Sequence, residues 1–142
     1  MSLYILDTDH ITSFQQNHPL VKQRVEAISA QEIAVTAISL NEQMRGWLNA
    51  INQSGKSDRI LWAYTGLLGA VQFFNTVRVL QFDRPAYNIF LALQSQKIRI
   101  GTQDLRIAAI ALSVKGIVVT RNRRDFEKIT DLILEDWRVS IN

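Results

Sequence analysis

The chain has 142 residues, 47% of them hydrophobic, no cysteine and a formal net charge of +3. That length suits one domain, residues 1–142, burying roughly 70% of its unfolded surface, while the apolar content excludes a disordered chain and the missing thiols exclude disulfides and zinc-thiolate sites. The mildly basic balance is compatible with a nucleic-acid partner, no apolar run approaches the roughly 18 residues that span a bilayer, and MSLYILD turns acidic too soon for a signal peptide, so a cytoplasmic location is expected.

The first predicted strand is LYIL, Leu3–Leu6. It runs into Asp7, and a second acid, Asp9, follows two residues on. HPLVKQRVEAIS then carries Leu20, Val21, Val25 and Ile28 on one side of a helix. IAVTA, Ile33–Ala37, is a second strand, and SLNEQMRGWLNAI a helix after it. SDRILWAYTGLLGAVQFF is apolar nearly all round, with Trp62, Tyr64, Phe73 and Phe74. It reads first as a buried helix and otherwise as an exposed interface over Ile60 to Phe74.

VRVLQF, Val77–Phe82, is the third strand. DRPAYNIFLALQSQ opens with Asp83 as N-cap and Pro85 in the first turn, where a missing N–H costs nothing. TQDLRIAAIALSVKG is a helix with Lys115 in its last turn and Gly116 as a left-handed stop. IVVT, Ile117–Thr120, and RVSI, Arg138–Ile141, are the remaining strands. The resulting order, β-α-α-β-α-α-β-α-α-β-α-β, implies an α/β fold with a mainly parallel sheet. The first, second and fourth strands are nearly continuous apolar runs, as strands covered on both faces should be.

Four acids fall at one edge of such a sheet. Asp7 follows the first strand, Glu42 opens the helix after the second, Asp104 opens the helix before the fourth, and Asp125 follows the fourth. Each also has a structural explanation. SLNE is a capping-box pattern with Ser39 as N-cap and Glu42 at the third position. Thr102 is a cap candidate ahead of Asp104, NRRD has a cap-like spacing, and Asp7 and Asp9 suit a turn. Four carboxylates on one edge must nevertheless be separated, protonated or neutralised by a cation, and a hard divalent ion fits an all-oxygen set. Their lateral convergence depends on strand order, which spacing does not give. His10 and His18 lack metal-ligand spacing and are expected in loop or surface roles.

Taken together, YILDTDHITSF, TAISLNEQMRGW, IGTQDLRIAAIALSVKGIVVTRNRRDF and LILEDWRVSIN resemble a PIN-domain ribonuclease of the VapC toxin type. The resemblance implies a three-layer α/β/α domain with a five-stranded sheet in the order 3-2-1-4-5. It implies an endoribonuclease toxin that holds Mg²⁺ or Mn²⁺ with Asp7, Glu42, Asp104 and Asp125, supported by Thr120 and Asn122. Arg121 stands where that family often has a small polar residue. Arg121, Arg123 and Arg124 are expected to meet RNA phosphates, with Lys128 and Arg106 close by. The implied partners are RNA, a small cognate antitoxin and a second copy of the chain. Two alternatives are a non-catalytic binding module of the same fold and a haloacid-dehalogenase-type phosphatase with Asp7 as nucleophile. The second needs Thr or Val where this chain has Ile11.

Overall fold

A computed structural model describes residues 2–140. The elements run β1 (Tyr4–Leu6), α1 (Thr8–Gln15), α2 (Pro19–Ala27), a 3-10 turn (Ala30–Glu32), β2 (Ile33–Thr36), α3 (Ala37–Gln53) and α4 (Arg59–Thr76). They continue β3 (Arg78–Leu80), α5 (Arg84–Ser95), α6 (Thr102–Val114), β4 (Ile117–Val119), α7 (Arg123–Phe126) and β5 (Ile133–Glu135). The short helices α1 and α7 complete the alternation expected from the sequence.

All five strands are parallel, in the order β3-β2-β1-β4-β5. Side chains alternate across the sheet, which divides the core. Ile5, Ala34 and Val118 pack with Phe90, Leu93 and Ile107. Leu6, Val35 and Val119 pack on the other face with Ile11, Val21, Phe74 and Trp137. The three layers follow from this alternation. The central strands β1, β2 and β4 are largely buried, whereas the edge strands β3 and β5 are only partly so.

Two expectations are corrected by packing. The last strand is Ile133–Glu135, paired with β4 through Leu134 and Val118, while Arg138–Ser140 leave the sheet; Ile141 lies outside the described residues. The chain has to leave because Trp137 is fully buried beyond β5, against Tyr4 and beneath Arg24. The α6 terminus also differs. Lys115 itself takes the left-handed conformation, φ 55. Gly116 is required for another reason: a Cβ there would lie 2.6 Å from Ile5 Cδ1.

The helix α4 reverses the expected burial. Its small residues Ala63 and Ala70 face inward with Phe74, while Leu61, Trp62, Tyr64 and Leu68 are each more than half exposed. Gly66 belongs to the same close approach, since a Cβ there would strike the Trp47 ring of α3. The helix is therefore an exposed apolar surface, the second of its two sequence readings.

Candidate metal centre

The register Leu6↔Val119 places Asp7 beside Thr120, one residue beyond the strand ends. The Thr120 hydroxyl donates to Asp7 Oδ2 at 2.8 Å, and the Thr8 N–H donates to Oδ1 at 2.8 Å. Asp7 also caps α1 and is buried. Burial pushes its carboxyl up to about 7, with the Asp9 charge as the next cause and Asp104 a lesser one; the Thr120 and Thr8 hydrogen bonds oppose the rise.

The expected capping box does not form. Thr36 caps α3 by accepting from Ser39 N at 3.2 Å, so the helix starts earlier and Ser39 lies inside it. Glu42 is thereby free of capping duty. Its Oε1 accepts from the Thr8 hydroxyl at 2.8 Å, joining the starts of α1 and α3. Thr102 is likewise not a cap, because Gly101 holds that position without a side-chain bond.

Asp104 and Asp125 share one donor. The Asn122 amide stands 3.2 Å from Asp104 Oδ2 and 3.2 Å from Asp125 Oδ2. Burial holds the Asp104 pKa above the usual carboxylate range, and the Glu42 and Asp125 charges add to it. An open cleft of about 420 Å³ gathers Asp7, Asp9, Glu42 and Asp104, with Thr8, Arg121 and Asn122 completing its wall. Asp125 does not line this cleft and is tied in through Asn122.

The basic residues divide. Arg121 borders the cleft, and Arg123 and Arg124 are exposed on α7, where Arg123 pairs with Glu127. Arg106 lies over the Phe90 ring and donates to Gln103, while Lys128 donates to the Arg99 carbonyl.

Two residues were underestimated in the sequence. Asp9 lines the cleft, and its Oδ2 shares the Thr120 hydroxyl hydrogen with Asp7, at 3.2 Å against 2.8 Å, and accepts from Arg121 N at 3.4 Å. His10 is fully buried, contrary to the surface role expected of it; His18 caps α2. The D-x-D spacing was the available signal for Asp9. His10 had none, since its partner Trp137 is remote in the sequence.

The donor set is oxygen throughout, which suits Mg²⁺ or Mn²⁺. Among the described residues no group of three or more His, Asp or Glu side chains is arranged to hold a metal ion. A hexacoordinate Mg²⁺ that keeps several waters needs only one or two direct carboxylates. A larger cavity, about 860 Å³, adjoins the cleft and shares Thr8 and Glu42 with it. Its other walls include Phe14, Trp47, Trp62 and Phe73. The carboxylates converge on the smaller cleft, whereas Glu42 is the one acid among the described residues that borders the larger cavity.

A family model described as PIN domain matches residues 4–132. The chain belongs to the PIN domain family. Ribonuclease VapC1 of Haemophilus influenzae is 29% identical to this PIN chain over 139 residues, 95% of the chain and 98% of that relative. A DNA-bound VapBC structure from Salmonella typhimurium superposes with a TM-score of 0.79 at 25% identity, covering 96% of this chain and 99% of that one. VapBC2 from Rickettsia felis, bound to a DNA fragment from its promoter, gives 0.73 at 25% identity, covering 95% and 98%. The phosphatase alternative is set aside by the family match. In this PIN domain Ile11 is a fully buried core residue, and no lysine lines the cleft. Among the described residues no helix is long and apolar enough to cross a membrane.

Proposed function

We propose that this PIN domain is the endoribonuclease toxin of a toxin–antitoxin pair and hydrolyses RNA at the acidic cleft with a divalent ion. The observation that carries the reading is the convergence of Asp7, Glu42 and Asp104 on one cleft, in a chain whose full-length relatives are named ribonucleases. Asp7 and Asp104 would hold Mg²⁺ or Mn²⁺ directly, with Glu42 and Asp125 acting through water or on a second ion. Bound there, the ion supplies Lewis-acid polarisation of a phosphodiester oxygen and lowers the pKa of bound water.

The chain's own groups prepare this chemistry. Thr120 orients Asp7, Thr8 orients Glu42, and Asn122 spans Asp104 and Asp125. Glu42 or Asp125 would position the attacking water for in-line displacement, with no covalent enzyme intermediate. The binding-module alternative assigns the acids to capping; Asp7 does cap α1, but Thr36 and Gly101 hold the N-cap positions of α3 and α6, which leaves Glu42 and Asp104 without that duty. Incubating the protein with mixed RNA tests the function. Cleavage is expected with Mg²⁺ or Mn²⁺ and none in excess EDTA; cleavage that survives EDTA rejects the mechanism.

Arg121, Arg123 and Arg124 would hold the RNA backbone. Replacing Arg123 and Arg124 together with alanine should weaken RNA binding and flatten its dependence on salt, because each lost phosphate contact releases fewer counterions. Titrations across a range of salt concentrations measure this, and an unchanged slope returns both residues to ordinary surface.

The groove beside the cleft, with the exposed face of α4, would receive the antitoxin. Its aromatic walls suit an apolar segment, and its shared Thr8 and Glu42 bring that segment to the edge of the acids. Hydrogen exchange should show protection of α3 and α4 when the product of a neighbouring small gene binds. Protection confined to other elements would remove the assignment.

A further inference from the structure

The fully buried His10 has no part in the mechanism above, yet it touches the wall of the cleft. Its Nδ1 lies 2.6 Å from Asp9 Oδ1, and its Nε2 lies 3.0 Å from the backbone nitrogen of Trp137. Trp137 is itself fully buried, so its N–H must find an acceptor. An N–H can be met only by a lone pair, which leaves Nε2 without a proton. A neutral imidazole carries one proton, so Nδ1 has it and donates to Asp9. Asp136 Oδ1 stands 3.3 Å from Nε2, but it accepts from Arg138 N at 2.9 Å and needs no proton from the ring.

The chain of bonds continues to the nucleolytic acids. Asp9 Oδ1 is occupied by His10, which turns Oδ2 toward Thr120 Oγ1 and Arg121 N. The same Thr120 hydroxyl stands on Asp7 Oδ2, and Asn122 N donates to its oxygen. One carboxylate therefore pins the turn that follows β4. Trp137 anchors the other end, its indole N–H donating to Glu135 at 2.9 Å and its ring under Arg24.

We propose that His10 is a positioning residue: as the Nδ1–H tautomer set by the Trp137 N–H, it fixes Asp9, and through Thr120 and Arg121 it fixes Asp7 and the rim of the cleft. This rests on the nuclease reading above for its effect on rate, though not for the tautomer. Carboxylates near a metal depend on such outer partners for orientation, and losing one commonly costs about 10–100-fold in activity or metal affinity.

Two substitutions separate positioning from packing. In His10→Asn the amide nitrogen lies as many bonds from the backbone as Nδ1, so the donor to Asp9 is kept and the acceptor for Trp137 is lost. In His10→Gln the amide reaches as far as Nε2, so an acceptor for Trp137 is kept and the donor to Asp9 is lost. The Mn²⁺-supported kcat should fall about 10–100-fold in His10→Gln with KM little changed. His10→Asn should keep activity within about three-fold of wild type, the partial rescue expected where the second-partner bond survives, even if it melts lower. Equal losses in both, no loss in either, or the reverse order would make His10 a packing residue and overturn the proposal. Long-range nitrogen–proton NMR on the unmodified protein at neutral pH supplies a readout that needs neither variant nor metal. It should show a neutral ring protonated at Nδ1; a ring protonated at Nε2, or at both nitrogens, overturns the proposal even if the variants do not fold. Wild-type protein that cuts no RNA with any divalent ion would defeat the nuclease reading, and the tautomer would still decide the role of His10.

Discussion

Asp7→Asn should abolish metal-dependent RNA cleavage while leaving the protein folded. The carboxylate sits at the carboxyl end of the central strand, buried, with both oxygens oriented by hydrogen bonds. Its replacement removes a full charge from the proposed ion's contacts. Lewis-acid stabilisation of a phosphoryl transition state is worth several kcal/mol, and each 1.36 kcal/mol is about tenfold in rate, so kcat should fall by at least about a hundredfold. The fold has little reason to suffer. The Asn oxygen can accept from Thr120 or from Thr8 but not from both, a cost of about 1 kcal/mol. Against that stands the removal of a buried carboxylate whose pKa is pushed up to about 7. The variant should therefore melt no lower than wild type in EDTA at neutral pH. Full activity in a well-folded Asp7→Asn would reject Asp7 as a metal ligand.

The second large effect is on stability. Asp7 titrates at about 7 in the folded protein and near 3.8 when unfolded. Below pH 3.8 both states hold the proton and there is no penalty. Between 3.8 and about 7 the folded state binds more protons, so stability falls as pH rises, and above that range the loss is constant. At about 1.4 kcal/mol per pH unit the loss is on the order of 4 kcal/mol, and Asp104 shifts in the same direction. Metal-free protein should thus melt lower at neutral than at mildly acidic pH. Mg²⁺ or Mn²⁺ should offset more than half of this, since a ligand at a hundred times its Kd adds about 2.7 kcal/mol and competes with protons for the same oxygens.

Asp104→Asn tests the same balance. It should melt higher than wild type in EDTA, by about 1 kcal/mol, and gain much less from metal. A helix-end role for Asp104 gives the opposite order, because the dipole favours Asp over Asn, and gives no metal effect. Melting both proteins at neutral pH, with and without metal, distinguishes the two.

The sheet could be read from the sequence where burial is two-sided. The runs of β1, β2 and β4 are apolar without interruption because helices cover both faces, so they announce themselves. Asp83 was readable as a cap for a local reason: its partner is Ala86 N, three residues away. The errors arose where two local signals competed or where a distant group decided. Thr36 and Ser39 are both competent caps, and the helix takes the earlier, which releases Glu42 for the cleft. The closing strand was misplaced because Val139 looks more strand-like than Glu135, and nothing local says that Trp137 must turn into the core. His10 sits between polar neighbours with no periodic pattern, and the Trp137 N–H that fixes it lies 127 residues away. The four acids could be placed at one edge by helix and strand direction alone. The convergence of Asp7, Glu42 and Asp104 on one cleft required the strand order.

The inverted burial of α4 separates two kinds of selection. Ala63 and Ala70 are buried and hold the helix against its neighbours, Ala70 also bordering the groove proposed for the antitoxin. Trp62, Tyr64 and Leu68 are each more than half exposed, although Trp62 still packs its ring edge-on against Trp47 of α3. If this face receives the antitoxin as proposed, changes at Tyr64 and Leu68 would alter recognition with little cost to folding, whereas one added methyl at Gly66 would strike the Trp47 ring. Sequence drift at Tyr64 and Leu68 would then reach the proposed partner surface before it reached the packing of α4 against α3.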